Sequence, residues 1–359
     1  MALHRAVIVC VGLACGLPAF SFAGRLPDVL DTPALPTALA PTRLLNGIAP
    51  AGTRLVAAGQ RGHIIYSDDG GKTWTQAQVP VRSDLVAVKF ISPLRGWAVG
   101  HDGVVLASGD GGASWRKQLD GRQAAQALKT LADTLAAAQG DARLIGELQR
   151  MAEQGADKPF LDVWFQDAHT GYAVGAFGMI FRTGDGGATW QPWLHNADNP
   201  GLLHFYAIGS AGDEVFAVGE QGLLLKLDKP SGRFRAQPSP YKGSFFGVTG
   251  RAGAVLVFGL RGNLFRSRDG GASWQKIETA TLAGLTGGSL LGKTQVALVS
   301  QGGELLISHD DGQRFAPLPL PRRFPFTALA PTATGALAIT GLRGVVVQPL
   351  TAATGHGRP

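Results

Sequence analysis

Arg95–Trp115 read RGWAVGHDGVVLASGDGGASW, and the fold follows from how this stretch is read. Two short apolar runs, Trp97–Val99 and Val104–Ala107, flank the turn Gly100-His101-Asp102-Gly103. Runs this short and this rich in Val and Leu are strands rather than helices. Joined by Gly-x-x-Gly they form a β-hairpin. The pattern returns through the chain, in LVAAGQRGHIIY at Gly59, YAVGAFGMIFR at Gly175, FAVGEQGLLLK at Gly219, LVFGLRGNLFR at Gly259, ALVSQGGELLI at Ser300 and AITGLRGVVVQ at Gly341. The seven copies are spaced 41, 75, 44, 40, 41 and 41 residues apart, so a single interval departs from a period near forty.

A second motif follows the hairpin. SDDGGKTW (67–74), SGDGGASW (108–115), TGDGGATW (183–190) and SRDGGASW (267–274) are close copies, and SHDDGQRF (308–315) is a weaker one. LDKPSGRF (227–234) keeps only its aromatic, and the seventh unit has lost the motif. The form S/T-x-D-x-G-x-x-W/F resembles the Asp-box of β-propellers. A carboxylate at Asp69, Asp110, Asp185, Asp269 and Asp310 is placed to accept backbone N–H groups across a turn. The aromatic at Trp74, Trp115, Trp190, Trp274 and Phe315 then buries a large surface between sheets. A calcium loop would need further carboxylates, which the copies lack, so these residues read as structural and no metal is expected.

Each unit of about forty residues supplies four short strands, and such a sheet buries its faces only against neighbours. The expected fold is all-β, a seven-bladed β-propeller spanning 24–350. Blades are expected to start near Leu44, Leu85, Phe160, Gly201, Ser244, Leu285 and Phe326. The last blade has only three strands of its own, so residues 24–43 are expected to supply its outer strand, where prolines are tolerable. The long interval holds an insertion at 120–159. Ala124, Leu128, Leu131 and Leu135, then Leu144, Leu148 and Met151, recur at helical spacing. This predicts a helical hairpin between blades two and three, either a decoration packed on the ring or an arm that docks a partner.

Glycine makes up 51 of 359 residues, about twice the usual ~7%. With 45% hydrophobic and 16% charged residues, the bulk of the chain is not disordered. The net charge of +7 is scattered without a long basic run, a weak pointer to acidic partners rather than nucleic acid. His4 and Arg5, the apolar run Ala6–Leu17 and Ser21-Phe22-Ala23 read as a signal peptide cut after Ala23. The apolar run is too short to span a bilayer, so an exported chain, periplasmic or secreted and not membrane-spanning after cleavage, is expected. Both cysteines, Cys10 and Cys15, fall in this leader, and Gly12 makes Cys15 a poor lipidation site. The tail 351–359 is expected to be disordered and the protein a monomer.

No catalytic constellation and no cofactor motif emerges. The histidines form no His-x-x-x-His pair, and GDGGASW lacks the lysine and helix of a phosphate loop. Because Asp-boxes also occur in sialidases, a sialidase-like or other glycoside hydrolase is the alternative. Such enzymes need an arginine triad and a tyrosine with a glutamate partner, and only Tyr66, Tyr172, Tyr206 and Tyr241 are available. The Gly-x-x-Gly turns are more informative. Their third position carries Arg61, Asp102, Phe177, Gln221, Arg261, Gly302 and Arg343. On a closed ring Arg343 and Arg61 sit on adjacent blades and Arg261 lies two blades from Arg343. This makes Arg61, Arg261 and Arg343, with Asp102 and Gln221, the candidate partner-binding residues, since arginine suits carboxylates.

Arg95–Trp115 and Thr170–Trp190, within a seven-bladed chain that opens on a leader, resemble the photosystem II stability/assembly factor family of plants and cyanobacteria, which has exported relatives in other bacteria. The resemblance covers about Leu44 to Leu350 outside the insertion. It implies a non-catalytic propeller that assists assembly by binding a membrane protein subunit through an arginine-lined surface. That role is carried over only to Arg61, Arg261 and Arg343. The insertion and the degenerate fourth and seventh units depart from the family pattern.

Overall fold

The computed structural model describes residues 27–350. The expected signal peptide, Cys15 and the tail 351–359 lie outside the described residues. Seven antiparallel sheets follow one another, each a meander whose sequential strands pair. Their inner strands are Leu45–Ala51, Leu85–Phe90, Phe160–Phe165, Phe205–Ala211, Phe245–Arg251, Leu285–Leu290 and Phe326–Pro331. The first strand of blade four begins four residues after the expected Gly201. There Asn199 holds a turn closed, accepting from Leu203 N and donating to Leu203 O, and the chain extends only beyond it.

The second strand of each blade is buried on both faces, which explains the unbroken apolar runs. Successive side chains point to opposite faces of a strand. In Gly96–Gly100, Trp97 and Val99 enter a cluster with Phe165 of blade three, whereas Ala98 enters one with Val56 of blade one. Seven such apolar clusters occur, one at each junction of the ring. Trp97 stacks on Phe165 with ring centroids 3.4 Å apart. Truncating a core aromatic of this kind costs about 3–5 kcal/mol.

The closing strand expected from residues 24–43 does not form among the described residues. The last blade keeps three strands, ending with Gly344–Pro349. Residues 27–43 instead run as a strap across the first blade, from Leu30 at its junction with blade two to Ala40–Thr42, which pack against Gly344–Pro349 of the last blade without joining its sheet. Arg82 N donates to Val29 O (2.8 Å), Ala34 N to Val79 O (3.0 Å) and Thr37 N to the Gln76 side chain (2.9 Å). Prolines 27, 33 and 36 lack the N–H groups that a ladder needs, so loop and side-chain bonds replace one. Closure comes from packing: Leu45, Ile48, Ala330 and Ala338 share a cluster, and Thr327 Oγ1 donates to Leu45 O (2.6 Å).

The insertion forms two helices, α1 (Gly121–Ala137) and α2 (Ala142–Glu153). Asp120 caps α1 in a reciprocal box with Gln123, and Asp141 caps α2. Ala124, Leu128, Ala132, Leu148 and Met151 pack into the cluster of Phe181 and Trp190, so the apolar face of the hairpin lies on the propeller. Among the described residues no helix is long and apolar enough to cross a membrane.

Candidate protein-binding face

In a four-strand meander the start of strand one, the turn between strands two and three and the end of strand four share one face of the ring. The Asp-boxes occupy the other. There Ser67 Oγ donates to Asp69 Oδ1 (2.8 Å), Thr73 N and Thr73 Oγ1 donate to the same carboxylate (2.9 and 2.6 Å), and Trp74 Nε1 donates to Gly71 O (3.1 Å). The boxes of Asp110, Asp185, Asp269 and Asp310 repeat the serine or threonine bond and the backbone bonds. Bonds from Thr189 and Ser273 hold the Asp185 and Asp269 carboxyls down at about 2. In blade four, which lacks a box, Trp193 of the preceding blade donates to Gly232 O (2.8 Å), the bond a box tryptophan makes in its own blade.

The opposite face is built from the Gly-x-x-Gly turns. Gln60 N donates to Leu44 O, the residue before the inner strand, and the bond recurs in every blade, to Asp84, Pro159, His204, Ser244, Gly284 and Pro325. Arg61, Asp102, Phe177, Gln221 and Arg261 all lie in the left-handed region, φ 52–58°, which costs a non-glycine residue energy and persists only when the surroundings impose it. The preceding glycine is part of that imposition: a Cβ on Gly100 would lie 2.1 Å from Asp84 O. Blade seven differs, with a two-residue turn at Leu342-Arg343.

Arg61, Arg261, Arg343 and Gln221 are exposed on this face, and Asp102 is half-buried on it. The structure adds four cations that the turn motif alone misses. Arg43, Lys242, Arg322 and Arg323 sit in the segments that lead into inner strands, and all four are exposed. Arg323 rests against the blade-six turn at Gly303. The signal was present in the sequence, since each lies two to four residues before the start of a repeat. The seven cations occupy blades five, six, seven and one, and none forms an ion pair among the described residues. Three carboxylates border this arc: Asp84 accepts from Arg61 N (2.6 Å), Glu304 accepts from Thr281 Oγ1 (2.9 Å), and Glu278 pairs with Lys276.

Between the two faces runs a central cavity of about 720 Å³. Each inner strand carries a bulge at its second residue, and every bulged residue lines the cavity. Asn46, Thr286 and Thr327 each bond to a carbonyl of the next blade. Val86, Leu161, Tyr206 and Phe246 are apolar or aromatic. Deeper in, Asp162 accepts from Ile208 N (3.0 Å), and burial pushes its carboxyl up against the pull of Lys89, 3.9 Å away. Among the described residues no cluster of His, Cys, Asp or Glu is arranged to hold a metal.

The model of the family described as photosynthesis system II assembly factor YCF48 matches residues 69–133 and 148–234. A photosystem II assembly protein Ycf48 of Synechococcus sp. (strain JA-2-3B'a(2-13)) is 30% identical over 175 residues, which are 45% of this chain and 51% of that protein. A photosystem II assembly lipoprotein Ycf48 of Synechococcus sp. (strain CC9902) is 29% identical over 123 residues, 33% of this chain and 37% of that protein. Over these segments the chain is similar to photosystem II assembly factors.

A structure of YCF48 bound to D1 peptide superposes with TM-score 0.60 at 17% identity, covering 89% of this chain and 100% of that one. YCF48 from Cyanidioschyzon merolae gives 0.61 at 15% identity, covering 87% and 97%. At these identities the superpositions establish the shared fold. The aligned segments of the curated relatives span about half of those proteins or less. The family match runs from the first Asp-box into blade four and skips 134–147, the joint between α1 and α2. Asp102 and Gln221 fall inside it. Arg61, Arg261 and Arg343 fall outside, so the basic arc belongs to the part of the ring that the family model leaves unmatched.

Proposed function

We propose that this propeller is an exported, non-catalytic binding module that assists the assembly of a membrane or envelope protein complex by holding an acidic segment of one subunit. The observation that carries this reading is the arc of seven unpaired cations on blades five to seven and one. Exposed arginine and lysine without internal partners keep their charge for a ligand, and arginine offers carboxylates a two-pronged contact. Similarity to assembly factors that include a lipoprotein supports an extracytoplasmic site of action. Arg61, Arg261 and Arg343 are the contacts proposed on the turns, with Asp102 and Gln221 bordering them.

The test is binding of a fluorescent acidic peptide to wild type and to the Arg61→Glu/Arg261→Glu/Arg343→Glu variant, beside pull-downs from the native envelope. Salt-sensitive binding lost in the variant supports the reading; equal binding and identical captured proteins would overturn it. The glycoside hydrolase alternative finds one tyrosine near a glutamate at the cavity mouth, Tyr206 beside Glu220. Burial and then the Glu220 charge push that phenol up, away from a nucleophilic phenolate. Turnover of a fluorogenic sialoside above a heat-killed control would favour the hydrolase instead.

A further inference from the structure

The mouth of the central cavity is not evenly lined, and the unevenness follows from which residue each blade places in its bulge. In blades six, seven and one the bulged side chains are polar and already spent on the ring. Thr286 Oγ1 donates to Phe326 O (2.9 Å), Thr327 Oγ1 to Leu45 O (2.6 Å) and Asn46 Nδ2 to Leu85 O (2.8 Å). In blades three, four and five the same position holds Leu161, Tyr206 and Phe246, all half-buried and all lining the cavity.

Aromatic neighbours extend these three into a continuous crescent. Phe246 meets Tyr206 edge-on with centroids 5.6 Å apart, Tyr206 meets His204 at 6.4 Å, and His204 meets Phe177 at 5.0 Å. Phe177 is held in the left-handed region at φ 55° on a turn that leaves it 38% exposed. A strained, exposed phenylalanine gains nothing for the core. Exposed aromatic surface beside a concavity is the usual mark of a docking site. The crescent ends at blade five, where the basic arc begins with Lys242 and Arg261. The two are continuous around one rim, one apolar and the other cationic.

We propose that the crescent of Leu161, Phe177, His204, Tyr206 and Phe246 seats an apolar or aromatic side chain of the same extended acidic peptide whose carboxylates lie on the basic arc. The arc supplies charge and the crescent supplies sequence preference. Charge complementarity fixes the direction: Glu220 stands among the crescent blades and Asp102 beside them on blade two, so the carboxylates of the peptide point toward blades five to one and its apolar anchor lies over blades three to five. The proposal rests on the acidic-peptide reading of the arc, and its test separates the two.

Two peptides are compared, one with an acidic run and a phenylalanine anchor, the other with alanine at the anchor. Wild type is expected to bind the phenylalanine peptide about tenfold more tightly, the gap that one well-seated apolar side chain supplies. Tyr206→Ala/Phe246→Ala should erase that gap and leave both affinities at the alanine level, with the salt dependence unchanged. The Arg61→Glu/Arg261→Glu/Arg343→Glu variant should weaken both peptides alike and preserve the gap. An unchanged gap in Tyr206→Ala/Phe246→Ala would overturn the crescent. Should neither acidic peptide bind wild type, the arc reading falls, and the crescent is judged by a neutral probe. With 3-fluorotyrosine at the four tyrosines, N-acetyltryptophanamide is expected to shift the Tyr206 fluorine resonance and spare that of buried Tyr172. No shift at Tyr206 would overturn the crescent on its own.

Discussion

The two faces of this ring are made from the same repeat and use charge in opposite ways. On the Asp-box face four cations are matched with carboxylates. Arg54 Nε sits 2.7 Å from Asp68, Lys226 2.7 Å from Glu214, Arg251 3.3 Å from Asp311 and Arg314 2.9 Å from Asp310. Its cations without ion pairs among the described residues, Lys72, Arg95, Lys229, Arg268 and Lys293, are scattered among box and hairpin residues. On the turn face seven cations stand in one arc without ion pairs. On the box face the five box carboxylates are consumed in holding turns, and Asp68, Glu214 and Asp311 in pairing with cations. The turn face holds its turns with backbone bonds, glycines and a few carboxylates such as Asp84, which accepts from Arg61 N (2.6 Å), and leaves the side chains of the seven arc cations without ion pairs. If the arc meets a partner as proposed, separating it from the groups that hold the fold lets one face vary at little cost to the other.

The largest expected effect breaks the turn face through its backbone. Gly100→Ala would drive a Cβ to within 2.1 Å of Asp84 O. The clash is with backbone and cannot be relieved by a rotamer, so a loss of about 3 kcal/mol or more is expected. Thermal unfolding should show it, and a Tm within a degree of wild type would mean that the face is not held this way. Next comes the charge reversal Arg61→Glu/Arg261→Glu/Arg343→Glu. Acidic-peptide affinity should fall at least thirtyfold, about 2 kcal/mol, with no loss of Tm, because the three side chains have no internal partners. A fall in Tm equal to that of a core variant would show that they serve the fold.

The box face should break under acid instead. The Asp185 carboxyl is held at about 2, below its ordinary value near 4, first by Thr189 Oγ1 and then by Thr189 N. A depressed carboxylate stabilises the fold fully above about pH 4, and the contribution is lost as pH falls toward about 2. Stability should therefore drop between pH 4 and 2, and Asp185→Asn should flatten that limb while costing about 1 kcal/mol at pH 7 through weaker bonds to the turn. Unfolding midpoints in urea at pH 7, 4 and 2.5 would check it. An unaltered acid limb in the variant would remove the box from the account.

Much of this division was legible in the sequence because both turns are local. Gly-x-x-Gly and Ser-x-Asp-x-Gly-x-x-Trp each write their geometry within eight residues, so the seven sheets, the two faces and the positions of Arg61, Arg261 and Arg343 follow from spacing. The strap was not legible, because residues 27–43 were free to pair with either end of the ring. The contest between the last blade and the first was settled by bonds to Gln76, Val79 and Arg82, residues with no repeat signature. The aromatic crescent was missed for a similar reason. Tyr206 and Phe246 carry no turn motif of their own, and it is the bulge at each inner strand that turns them into the cavity. The comparison needed was across blades at one register position, where Asn46, Thr286 and Thr327 differ from Leu161, Tyr206 and Phe246.

The smallest effect sharpens the contrast from the paired side. Arg54 makes a two-pronged contact with Asp68, Nε to Oδ1 at 2.7 Å and Nη2 to Oδ2 at 2.8 Å, and its guanidinium stacks 4.3 Å above the Tyr66 ring. Asp68 is mostly exposed, so the ion pair is screened and contributes no more than about 1 kcal/mol. Arg54→Lys keeps the charge but loses the fork and much of the stacking. Stability should fall by about 0.5 kcal/mol, and acidic-peptide binding should be untouched. The same change at Arg261 should do the reverse, leaving stability unaltered and weakening the peptide a few-fold. If both lysine variants lost stability and neither lost binding, charge would not be partitioned between the faces, and the basic arc would be one more solvated surface.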